Sequence, residues 1–116
     1  MKIFIIVVGL LELLVGSVLL LNPRLMAAYK KGNNALLTTA RMYGAAACSI
    51  GIFAVYIYLN FENVILHEPF LIVFAAFHFL VSLAILISFL SKQTRDLKIA
   101  MLHGLFFIIT LYFLIQ

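Results

Sequence analysis

The stretch IFIIVVGLLELLVGSVLLL, residues 3–21, decides how this chain is read. It matches the roughly 20 apolar residues that carry a helix across a hydrocarbon core. Its one charged residue, Glu12, stands in the middle. A carboxylate at the centre of a membrane-length helix is costly, and such groups pair inside the protein or mark a functional site.

Three more apolar runs follow, Ala35–Leu59, Phe70–Leu90 and Leu97–Ile115. Of the 116 residues 66% are hydrophobic and 10% charged, against about 25% charged in soluble domains. A chain this short has too much surface for its volume to hide that apolar content in a soluble core. Helix is the spanning structure that satisfies its own backbone without a closed barrel. The expected fold class is therefore all-α: a polytopic membrane protein forming one four-helix antiparallel bundle over residues 1–116, with spans near 3–21, 35–59, 70–90 and 97–115.

The first run exceeds a usual signal-peptide apolar region, and no small-x-small cleavage site follows it. It reads as a retained helix ending before Pro23, which cannot continue a helix interior. The loop from Asn22 to Asn34 carries Arg24, Lys30 and Lys31 around Leu25, Met26 and Tyr29, the pattern of a short segment lying at a membrane surface. Gly32-Asn33-Asn34 signals a turn before the second helix.

Charge sets an orientation. Seven of the eight basic residues flank the first and third loops, and only Lys2 lies on the other side. The positive-inside rule puts those two loops in the cytoplasm and both termini outside, in a cell membrane of the bacterial inner-membrane type. The net charge of +4 is accounted for by this bias, and no basic patch interleaved with aromatics points to nucleic acid. The expected partners are the lipid bilayer and either a membrane-protein partner or further copies of the chain. The single cysteine, Cys48, allows neither an intrachain disulfide nor an all-cysteine metal site; among small residues it reads as an apolar filler.

In the second helix Ala40, Gly44, Ala47 and Gly51 fall on one stripe. Small residues let membrane helices approach closely, so this stripe is the expected packing seam. Four further residues form a candidate intramembrane polar cluster, for a ligand or a proton: Glu12, Arg41, His78 and His103. Counting about 1.5 Å per residue from the cytoplasmic end of each span, Glu12 lies about 14 Å deep, Arg41 and His103 about 9 Å, and His78 about 18 Å. These depths suggest an ion pair between Glu12 and Arg41, the alternatives being a neutral buried acid and an arginine snorkelling to the interface. They also set the two histidines about 9 Å apart along the membrane normal, against a shared metal or haem. No metal, cofactor or catalytic residue is assigned. His78 shares a stripe with Ala75 and Ser82, and His103 with Ala100, Phe107 and Thr110, so both are expected to face a helical interior.

Gly9-Leu10-Leu11 and Gly16 in the first helix, Asn22-Pro23 after it, and Arg41-Met42-Tyr43-Gly44 entering the second resemble the DoxX-like group of small four-helix membrane proteins. Some of that group look like accessory subunits of membrane oxidoreductases. Arg41-Met42-Tyr43-Gly44 with Phe77-His78-Phe79 is also similar to the ergosterol-biosynthesis scaffold family. Size, helix count and Glu12 resemble small multidrug-resistance transporters, in which a first-helix glutamate exchanges protons for cationic drugs in a dimer. This chain differs in having no Trp and in a charge bias that sets a single orientation.

The expected function is non-enzymatic, an accessory or scaffold subunit acting through helix packing. The alternative is a small proton-coupled transporter, a homo-oligomer with Glu12 as the proton or cation site. An intramembrane enzyme using Glu12 and a histidine as acid and base ranks third.

Overall fold

A computed structural model describes residues 1–94 and 97–116. The described chain is all-α, with helices α1 (Lys2–Leu21), α2 (Asn34–Leu59), α3 (His67–Leu90) and α4 (Lys98–Ile115). All four are long and apolar enough to cross a membrane. Three single 3-10 turns lie between them, at Pro23–Leu25, Ala27–Tyr29 and Val64–Leu66. The chain divides into two compact units, Met1–Glu62 and Asn63–Gln116. Each is a helical hairpin.

Local chemistry explains the boundaries. α1 stops at Leu21, with Pro23 opening the next 3-10 turn. Asn33 caps α2, its side-chain oxygen accepting from the Leu36 N–H at 2.9 Å, which satisfies one of the unpaired donors of the first turn. α3 starts three residues before the expected Phe70, because Pro69 is tolerated in a first turn, where its missing N–H has no intrahelical partner to lose. Glu68 in that same turn favourably faces the positive end of the helix dipole. α3 ends without a glycine. Lys92 adopts φ 58°; its N–H donates to Phe89 O and the Gln93 N–H donates to Ser88 O, at 2.9 and 2.8 Å. That double bond pattern closes a helix through one left-handed residue. The basic third loop is described at Lys92 and Lys98; Arg95 and Asp96, which also entered the orientation argument, lie outside the described residues.

In the first hairpin the expected seam is present. Ala40, Gly44, Ala47 and Gly51 are all buried on α2, and they face Gly9 and Gly16 of α1. A Cβ added at Gly44 would stand 2.6 Å from Leu20 N and 2.7 Å from Gly16 O. One added at Gly51 would stand 2.7 Å from Gly9 O and 2.8 Å from Leu13 N. The obstacles are main-chain atoms of the facing helix, so the two backbones are in direct contact. Gly9 and Gly16, like Gly44 and Gly51, are spaced seven apart, two helical turns, which returns them to one face. Cys48 does more than fill space: its Sγ lies 3.6 Å from Ser17 Oγ, beside the same seam. At the far end Lys2 Nζ sits 5.1 Å over the Tyr58 ring, a cation–π contact between the start of α1 and the end of α2.

The second hairpin is joined differently. Ser82 Oγ donates to Ala100 O at 2.9 Å, and Phe79 meets Phe107 with ring centroids 5.2 Å apart. Its one helical glycine, Gly104, has a side-chain atom as nearest obstacle, Ser82 Oγ at 3.4 Å.

These contacts set a contrast. Gly16→Ala and Gly44→Ala are each expected to destabilise the protein by about 1–3 kcal/mol, since overpacking a fitted contact forces backbone to move. Gly104→Ala, with only ordinary contact to make, is expected to be neutral. Unfolding of the three variants in detergent micelles measures this; equal tolerance at Gly44 and Gly104 would contradict the close-packed seam.

Candidate functional site

Helix register decides which of the four candidate polar residues meet. In the first hairpin Gly44 packs between Gly16 O and Leu20 N, so it stands level with residue 18 of α1. Three residues back, Arg41 is level with Leu21, about 13 Å along the axis from Glu12 at 1.5 Å per residue. Glu12 is 1% exposed, whereas Arg41 is exposed. No ion pair joins them among the described residues, and the depth argument for one is corrected. The reason is geometric: α2 has 26 residues to the 20 of α1, and its first two turns extend beyond the end of α1. Depths counted from each helix's own start therefore do not share a zero.

Glu12 lies on the buried stripe Ile5, Val8, Gly9, Glu12, Gly16 and Leu19. On α2, Tyr43 lies within its electrostatic range, partly buried one position before Gly44. Tyr43 stood in the Arg41-Met42-Tyr43-Gly44 motif, but nothing in the sequence singled it out as the partner of Glu12. The available signal was its place directly before a seam glycine.

The same correction, with opposite outcome, applies to the second hairpin. Ser82 bonding to Ala100 sets Lys98 level with Ala84, so the last turn and a half of α3 run on past the start of α4. His103 then falls level with residue 79, one position from His78. The rings meet: His78 Nδ1 and His103 Nδ1 are 2.8 Å apart, and both residues are buried, at 0% and 5% exposure. The expected 9 Å separation along the membrane normal is overturned. One ring donates from Nδ1 and the other accepts at Nδ1.

The pair is walled by aromatics. Phe74 lies edge-on to His78 with centroids 4.5 Å apart, Phe106 at 5.2 Å and Phe77 at 5.2 Å; Phe77 also approaches His103 at 6.1 Å. Such a wall excludes water and strengthens the polar link inside it. Ala75 and Ala100 are buried beside the pair, and Thr110 is buried two turns further along α4, as the stripes indicated. The separation speaks to haem. Two imidazoles on opposite faces of an iron stand about 4 Å apart at metal–nitrogen bonds of roughly 2 Å, well beyond the observed distance, so the pair as placed is not an axial haem ligation.

No protein-family model matches this chain, and no curated protein or solved structure matches it. The functional reading therefore rests on the residues themselves.

Two expectations separate these arrangements. Glu12→Gln and Arg41→Gln are expected to change stability additively, within about 0.5 kcal/mol, as distant sites do; a coupling several times larger would restore the ion pair. His78→Leu and His103→Leu are expected to couple by about 1–2 kcal/mol, each single change removing the Nδ1 partner of a buried ring that the double change takes away as well. Double-mutant cycles on detergent-solubilised protein read both.

Proposed function

We propose that this protein is a small integral membrane carrier that exchanges protons for cations, with Glu12 as the proton-binding carboxylate. The observation that carries this reading is that ionisable side chains are buried in the middle of apolar, membrane-length helices: Glu12 in α1, and His78 and His103 in α3 and α4. Holding such groups away from water is costly, and in membrane proteins they line proton and ion paths. Arg41 is exposed and stands level with the far end of α1, so it is not the group that holds Glu12 in its buried place.

The accessory or scaffold reading, and with it the DoxX-like resemblance, called on the small-residue face of α2 as a partner surface. That face is engaged by α1 within the same hairpin, which removes the main support for a partner role. The carrier reading places the protein in a cell membrane, the basic loops on the cytoplasmic side and both termini outside, and it works as a homo-oligomer, as small carriers of this size do.

The test uses proteoliposomes loaded with a pH-reporting dye and given tetraphenylphosphonium as the cation. Wild type is expected to release protons against tetraphenylphosphonium uptake. Glu12→Asp is expected to retain exchange with a shifted pH optimum, and Glu12→Gln to abolish it while keeping the size-exclusion profile and helicity of wild type. Exchange by Glu12→Gln at the wild-type rate, or none by wild type, would overturn the proposal.

A further inference from the structure

We infer that His78 and His103 form a binding site for a first-row transition-metal cation of the kind imidazole favours, represented by Zn2+. The site lies wholly within the second hairpin and does not depend on the carrier reading.

The two imidazoles converge. The two Nδ1 atoms point at one another, 2.8 Å apart, from neighbouring helices. Bonds of about 2.0–2.1 Å from each to one metal ion would subtend nearly a right angle at the observed separation. Opening the pair by about half an ångström reaches the tetrahedral angle at that bond length. A rotation of either ring supplies so small a movement without shifting a helix. The donor type fits as well: neutral imidazole suits zinc, copper, iron and nickel, and does not suit magnesium or calcium.

A plain interhelical hydrogen bond accounts for less of what is present. Ser82 already links α3 to α4 through Ala100 O, one turn from the pair. A second link needs only another small hydroxyl, yet the hairpin carries two imidazoles where apolar residues would pack without cost. The edges of Phe74, Phe77 and Phe106 close around them, and an apolar shell of this kind restricts solvent at metal centres and tunes them.

Proton balance is simple. In the hydrogen-bonded pair one ring carries its proton on Nδ1 and the other on Nε2. Metal binding needs both Nδ1 lone pairs, so the donor ring carries its proton on Nε2 instead. Both rings stay neutral, and no proton is released overall. The two histidines fill two coordination positions, and the remainder are filled by exchangeable ligands that enter with the ion.

The experiment titrates the full-length protein, purified without a histidine tag and held in lipid nanodiscs, first with Co2+ as a visible probe and then with Zn2+ in competition. Wild type is expected to bind one equivalent per chain, with ligand-field bands of four- or five-coordinate cobalt that Zn2+ removes. His78→Gln and His103→Gln are each expected to weaken binding at least tenfold, while His67→Gln, at the start of α3, leaves it unchanged. His103→Cys supplies a thiolate at the same position and is expected to recover binding, with a new sulfur-to-cobalt charge-transfer band. The readout is equilibrium binding, so a failure of proton exchange in Glu12 variants leaves it untouched. If the glutamine variants do not fold, 15N spectra of wild type decide: Zn2+ is expected to shift both Nδ1 resonances and leave those of His67 in place. Binding that survives in folded His78→Gln and His103→Gln, no stoichiometric binding by wild type, or Zn2+-independent Nδ1 resonances would each overturn the assignment.

Discussion

The contact between the backbones of α1 and α2 at Gly16 and Gly44 governs the first hairpin. Lipid tails are as apolar as the side chains they surround, so no hydrophobic gain draws two such helices together; close van der Waals approach must do it. Glycine at four positions lets main chain meet main chain, and that meeting admits one register. Once Gly44 is seated between Gly16 O and Leu20 N, the height of every other residue on α2 follows. Arg41 is carried level with the last residue of α1, and Tyr43 is brought within electrostatic range of Glu12.

What was legible in the sequence follows from which forces act locally. The four spans are visible because hydropathy over about 20 residues is a property of each segment alone. Their ends are visible where one residue determines them, as with Pro23 and Asn33. The end of α3 at Leu90 was visible from hydropathy alone, although Lys92 takes the left-handed position that glycine usually occupies. The seam residues Ala40, Gly44, Ala47 and Gly51 could be read as a stripe, but their match to Gly9 and Gly16 depends on two helices at once. Register was not legible. Treating each helix as starting at the same height put Arg41 beside Glu12 and drew His78 away from His103. Both errors have one origin, since α2 and α3 overhang their shorter partners at the ends joined by the basic loops.

The overhangs have a physical sense in a membrane protein. Residues 34–40 of α2 include Asn34, Thr38 and Thr39, and residues 85–90 of α3 include Ser88. Thr38, Thr39 and Ser88 return their hydroxyls to the carbonyl four residues back, which lets polar side chains sit at a lipid boundary without seeking outside partners. The extra turns therefore carry polar side chains whose hydroxyls are satisfied within their own helix, next to the basic loops.

The two hairpins hold their helices together by different means, and this bears on which of them can respond to a ligand. In the first, the spacing is set by main-chain contact at glycines, and nothing bound by a side chain can alter it without separating backbones. In the second, the helices are joined by side-chain links: Ser82 to Ala100 O, His78 to His103, and the phenylalanine edges around them. Rings rotate where backbones do not. A hairpin whose central link is a pair of imidazoles can exchange the proton between them for another occupant at the cost of a small ring movement. The first hairpin thus holds its buried carboxylate on a helix fixed by main-chain contact, and the second holds its two imidazoles on helices joined by side chains that can rotate.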